Sequence, residues 1–181
     1  GIRDLVRSRG LGDVYKRQVT LDTPERVKRI DIESAEEMKE HVTANLSDID
    51  LFISTAAVAD FKMKNSEPQK IKKDQSKIMN LSLEKNEDIL KYVSDNNPDL
   101  KVVGFAAETE NMIDNARKKL SSKNLNLIVA NDVSDSSIGF DSNNNEVTLI
   151  TEKEELKILK TSKEKVARKI VQFISKNILN D

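Results

Sequence analysis

A three-layer α/β fold around a mostly parallel, doubly wound sheet is predicted by three features of the sequence. Continuous runs of small and β-branched apolar residues recur at Leu51–Val58, Lys101–Ala107 and Leu125–Ala130, as in strands buried on both faces. Stretches with apolar residues three or four apart lie between them. Turn and cap residues separate the two kinds of segment, and strands that alternate with helices fold as a parallel sheet covered on both sides.

Taken in order, Val27–Ile32 reads as a short strand. Ser34, followed by Glu37, forms a capping box that opens an amphipathic helix to about Ala44. Leu51–Val58 is the next strand. Residues 62–80 are polar, Lys-rich and aperiodic, contain Pro68, and read as a long loop of the kind that serves as a lid. Asn86 is the expected cap of a helix with Glu87 and Asp88 in its first turn. Lys101–Ala107 is a strand, and Asn111–Lys123 a helix with Met112, Ala116 and Leu120 on one stripe. Leu125–Ala130 and Glu146–Thr151 complete the strands. Thr161 with Glu164 forms a second capping box, opening a last helix whose stripe is Val166, Ile170, Phe173, Ile174 and Ile178.

Composition narrows the chemistry. The 181 residues include 30 Lys+Arg and 31 Asp+Glu, giving a net charge of −1, which argues against wholesale electrostatic binding to nucleic acid. No cysteine is present, which excludes a disulfide scaffold, a thiolate metal site and a cysteine nucleophile. His41 is the only histidine and is expected on the surface of the first helix. No apolar run approaches the roughly 18 residues of a membrane span, so no membrane partner is expected and a cytoplasmic location is. The first 17 residues differ from the rest: they hold half of the eight arginines, three of the five glycines and no asparagine. Residues 1–18 are therefore expected to be a foreign or disordered head, and residues 19–181 the domain.

Ligands of doubly wound sheets bind at the carboxyl ends of the strands. The first long strand ends in Ala56, Ala57 and Asp60, where small residues admit a ligand and a carboxylate faces the crevice; Asp60 as a turn cap is the alternative. Lys70 to Lys73, with Lys62, Lys64 and Lys77, form a cluster suited to polyphosphate, or a solvated charge run. Gly104 allows close backbone approach, and Phe105 could pack on a base or in the core. Lys119 and Lys123, four apart, either share an anion or complement the helix dipole. Asn131 and Asp132 end the third strand. No P-loop and no G-x-G-x-x-G is present.

The segments STAAVADFK (54–62), KIKK (70–73), LEKNEDIL (83–90), VVGFAAET (102–109), ARKKLSSKNLNLIVAND (116–132) and GFDSNNNEVTLI (139–150) together resemble the bacterial phosphopantothenate–cysteine ligase domain, from about Val19 onward. That domain is usually the C-terminal half of a bifunctional protein whose other half is an FMN-dependent phosphopantothenoylcysteine decarboxylase. The resemblance implies a Rossmann-like fold, here lacking its first strand–helix unit. It implies ligation of 4′-phosphopantothenate with L-cysteine at the expense of CTP through an acyl-cytidylate, with Mg²⁺ on the triphosphate, in a homodimer. It also implies roles for residues. Asp60, Lys70, Phe105, Lys119 and Lys123, with Glu87, Asp88, Ile89 and Leu90, would contact CTP. Lys70 would also be catalytic, on a flap over the activated acyl group, and Ala56 and Ala57 would border phosphopantothenate. Phe61 and Glu87 stand where the family commonly has Tyr and Pro. The family's opening Gly-rich turn and functional Asn have no counterpart, so this chain is expected to be an incomplete copy without ligase activity alone. The dimer contact is expected near 133–151. A non-catalytic nucleotide-binding or subunit-assembly module is the alternative.

Overall fold

The computed structural model describes residues 26–64, 80–132 and 142–180, together with the backbone of a two-residue strand at 6–7. In chain order the elements are β1 (Val6–Arg7), β2 (Ile30–Asp31), α1 (Ala35–Thr43), β3 (Leu51–Ser54), β4 (Phe61–Met63), β5 (Leu83–Lys85), α2 (Ile89–Asn96), β6 (Lys101–Glu108), α3 (Met112–Ser122), β7 (Leu127–Asp132), β8 (Asn144–Ile150), β9 (Glu155–Ser162) and α4 (Lys163–Asn177). The main sheet has five strands in the order β3-β6-β7-β8-β9. The β3, β6 and β7 strands are mutually parallel, while β8 and β9 run antiparallel to their neighbours. The fold is the expected α/β, Rossmann-like class, closed on one side by an antiparallel pair. Two small ladders lie outside it: β1 with β2, parallel, and β4 with β5, antiparallel.

The strand period of two sorts the side chains into two cores. Val102, Ala106, Ile128, Ala130 and Ile150 face α1, α2 and α3, and pack with Met38, Val42, Ile89, Val93, Ala116 and Leu120. Val103, Leu127, Val129, Val147 and Leu149 face α4, and pack with Val166, Ile170, Phe173 and Ile174. Successive residues of β7 thus serve opposite layers, which is why its sequence reads as unbroken apolar rather than alternating.

Several boundaries differ from the sequence reading, each for a local reason. The strand at 51–58 stops at Ser54, where its register with Gly104 of β6 ends, and the small residues that follow leave the sheet. Lys62 and Met63, expected in a loop, form β4. The strand at 27–32 contracts to Ile30–Asp31. The α2 helix is capped by Asp88, whose side chain accepts the Lys91 N–H at 3.1 Å, so Glu87 and Asp88 precede the helix. The cap of α4 is Ser162 rather than Thr161, because β9 runs straight into the helix. The β9 strand itself is missed by the sequence reading. Its presence makes β8 an interior strand with ladders on both sides; residues 133–141, where part of the dimer contact is expected, lie outside the described residues. The capping box at Ser34 is as expected: its Oγ accepts the Glu37 N–H at 3.1 Å. His41 lies exposed in the last turn of α1.

Candidate functional site

The carboxyl end of β3, the N-terminus of α2 and the C-terminus of α3 meet on the face of the sheet that carries α1 to α3. After Ser54 the chain runs through half-buried Ala56 and exposed Ala57 to exposed Asp60, then enters β4. The β4 and β5 strands form a two-stranded ribbon, with Phe61 opposite Lys85 and Met63 opposite Leu83. The next rung is formed by Asn86, whose backbone N–H donates to the Asp60 carbonyl at 2.8 Å. The Asn86 side-chain amide donates to the Ala59 carbonyl at 2.7 Å. Two residues later Asp88 opens α2. The ADF and NED segments, 27 positions apart in sequence, are thereby joined.

The α1 helix buttresses this ribbon through two lysines. Lys62 on β4 lies 3.4 Å from Glu36 of α1 and 3.5 Å from Glu84 of β5. Lys39 of α1 donates to the Glu87 carboxylate and lies 4.5 Å from the centroid of the Tyr92 ring. The Glu87 carboxylate, followed by smaller contributions from Tyr92 and Glu36, raises the Lys39 pKa above its usual value despite the opposing effect of desolvation.

The third arm is the end of α3. Lys123 Nζ lies 2.7 Å from Asp88 Oδ2. Burial by itself would raise the Asp88 pKa, but the hydrogen bond from Lys123, that from the Lys91 N–H and the nearby ammonium charges outweigh it and hold the carboxyl below its usual range. The Lys123 carbonyl accepts Ser94 Oγ at 2.6 Å, and Lys91 Nζ donates to the Ser122 carbonyl at 3.1 Å, so α2 and α3 are laced together beneath the pair. Lys119 pairs at 2.6 Å with Glu108, a carboxylate only 14% exposed at the end of β6. The two lysines therefore hold separate carboxylates. The Lys123 ammonium sits on the cap residue of α2, near the positive end of that helix, where an incoming anion could replace the carboxylate.

The structure thus gathers Ala56, Ala57, Asp60, Glu87, Asp88, Ile89, Leu90 and Lys123 around one edge, with Lys119 alongside. Phe105 is placed on the opposite face of the sheet, half-buried against the α4 layer. Lys70 lies outside the described residues. Gly104 serves packing: a Cβ there would come within 2.9 Å of both Leu90 and Leu125, so its missing side chain makes room for those leucines rather than for a ligand. Sequence reading missed Lys39, Glu108 and the double role of Asn86. Only Asn86 had a signal, since the apolar spacing of Ile89 and Val93 already favours Asp88 as the cap. Among the described residues no three His, Cys, Asp or Glu side chains are grouped to hold a metal ion. No described helix is long and apolar enough to cross a membrane.

Residues 14–178 match the family model described as the DNA/pantothenate metabolism flavoprotein C-terminal domain. The chain is similar to the "Coenzyme A biosynthesis bifunctional protein CoaBC" of Vibrio vulnificus, 43% identical over 160 residues, covering 86% of this chain and 39% of that protein. The protein of the same name from Bacillus subtilis is 42% identical over 161 residues, covering 87% of this chain and 39% of the relative. That from Escherichia coli is 45% identical over 136 residues, covering 72% and 33%. The chain thus spans about two fifths of the length of the first of these relatives. Among solved structures, the C-terminal domain of a protein of that name superposes with a TM-score of 0.72 at 33% identity, covering 90% of this chain and 71% of that one. A DNA/pantothenate metabolism flavoprotein from Streptococcus pneumoniae gives 0.73 at 18% identity, covering 94% and 79%, and shares the fold.

Proposed function

The chain belongs to the DNA/pantothenate metabolism flavoprotein C-terminal domain family, and from that premise we propose that it is the phosphopantothenate–cysteine ligase portion of a coenzyme A biosynthesis enzyme. In this reading the carboxylate of 4′-phosphopantothenate attacks the α-phosphorus of CTP. The bond to the bridging oxygen breaks, and pyrophosphate leaves. The amine of L-cysteine then attacks the acyl carbon of the acyl-cytidylate; CMP departs and the amide remains, with the amine's surplus proton released.

One observation carries the reading. Segments that resemble the family's nucleotide-contacting motifs, far apart in sequence, come together through Asn86 on Asp60 and Ala59 and through Lys123 on Asp88. Such chemistry asks a protein for orientation and charge neutralisation more than for a nucleophile. Lys119 and Lys123 would exchange their carboxylates for phosphate oxygens, and backbone N–H groups in the opening turn of α2 would add donors. Ala56 and Ala57 would let phosphopantothenate approach the backbone, while Asp60 would orient the nucleotide. Phe105 would reach the site only over the sheet edge. Lys70 would neutralise the developing charge at the acyl phosphate. Mg²⁺ would travel with the triphosphate, which fits the preference of that ion for phosphate and water ligands; no residue is assigned to it and no step depends on it. FMN belongs to the decarboxylase half in this reading. The assembly is a homodimer in the cytoplasm, and light scattering should return twice the protomer mass.

The test is Lys70→Ala in a full-length enzyme carrying this domain. Turnover should fall by about a hundredfold or more while the melting temperature hardly moves. Near-normal turnover would remove Lys70 from the mechanism, and absence of CTP-dependent pyrophosphate release by the unmodified enzyme would remove the ligase assignment.

A further inference from the structure

We propose that Asn86 is a positioning residue of the nucleotide site, a clamp that fixes the Asp60 loop against the opening of α2; this rests on the ligase reading above. Asn86 forms two hydrogen bonds to successive carbonyls of the same loop, its N–H to Asp60 at 2.8 Å and its side-chain amide to Ala59 at 2.7 Å. The first is the terminal rung of the β4–β5 ladder, which any residue with an N–H could supply. The second needs a side-chain N–H donor, which Asp and Ala lack.

The position of the clamp matters as much as its bonds. The chain between Ser54 and Phe61 belongs to no strand or helix, so no ladder orients Asp60 from its N-terminal side. On the other side of Asn86, Glu87 is held by Lys39 and Asp88 by Lys123 and the Lys91 N–H. Asn86 is therefore the link through which the fixed opening of α2 determines where the exposed Asp60 carboxylate stands. Asn86 itself does not need to touch a ligand.

A clamp of this kind acts on binding rather than on the chemical step, and the kinetics should show it. In a full-length enzyme carrying this domain, Asn86→Ala should raise the KM for CTP about tenfold. Its kcat, and its KM for cysteine, should stay within about twofold of wild type. Asn86→Gln, which keeps an amide donor, should recover most of the loss. In the 181-residue chain itself, Asn86→Ala keeps the backbone rung, so hydrogen exchange at the amide of residue 86 reports the clamp directly and should accelerate. An unchanged KM for CTP with accelerated exchange would overturn the positioning role and leave the ligase reading standing. So would a uniform loss of kcat, of every KM and of melting temperature, without rescue by Gln. Unchanged exchange would overturn the clamp itself. If the wild-type enzyme shows no CTP-dependent ligation, the ligase reading fails and the inference fails with it.

Discussion

Asp88 does two things at once: it caps α2 and it holds Lys123. Replacing it with Asn separates them, since Asn is an equally good cap but gives Lys123 no charge. The Asp88 pKa is depressed in the fold, so its contribution is present above the unfolded value near 3.9 and is lost as pH falls through the folded value. Thermal melts should therefore show wild type more stable than Asp88→Asn at neutral pH, with the gap closing below about pH 4. A gap independent of pH would mean that Lys123 contributes nothing to the carboxylate. The lysines make a second prediction. Lys119→Ala and Lys123→Ala should each weaken CTP binding in low salt, and the loss should shrink as salt screens the contact. Titrations matching wild type at low salt would leave both as complements to the helix dipole. These lysines were legible in sequence as candidates because of their spacing. Their partners were not, since Asp88 is 35 positions from Lys123 and nothing local joins them. Phe105 shows the same limit, for composition cannot say on which face of a strand a residue points.

At the scale of elements, the capping signals were the most legible feature, and their errors are physical rather than random. Asn86 and Asp88 are both good caps, and only the start of the apolar stripe at Ile89 chooses between them. The β9 strand escaped because an edge strand alternates exposed Leu156 and Leu159 with lysines around buried Ile158, leaving little apolar run to read. The end of α3 is the element that delivers Lys123. Asn124 takes φ 49°, its N–H bonds to the Ser121 carbonyl at 3.2 Å, and the Leu125 N–H bonds to the Leu120 carbonyl at 3.0 Å. This is the Schellman arrangement, and it needs a residue that tolerates the left-handed region. Asn124→Val should cost about 1–2 kcal/mol in chemical denaturation, while Asn124→Gly should be close to neutral apart from the lost amide bond to Asp95. Because the motif fixes the Lys123 backbone, Asn124→Val should also weaken CTP binding. Intact binding in a destabilised variant would show that Lys123 finds its place without the motif.

For the whole molecule, the sheet acts as a partition. The strand runs around residues 101–107 and 125–130 were readable because both faces are covered, yet that same continuity hid which residue belongs to which core. The structure assigns Ile128 to the α1–α3 side and Ile174, on α4, to the other. Both are at most 2% exposed, so removing one methyl from either leaves a small void. Ile128→Val and Ile174→Val should each cost about 0.5–1.5 kcal/mol. The two side chains share no cluster and are separated by a hydrogen-bonded layer. Their effects in the double variant should add to within about 0.5 kcal/mol, as they do for sites with no common partners. Ile158 and Ile174 lie in the same cluster, and that pair should depart from additivity by more, because relaxation around one void changes the space left for the other. Strong coupling between Ile128 and Ile174 in denaturant melts would mean that the sheet transmits strain from the candidate site to the α4 layer, and the two cores would then have to be treated as one.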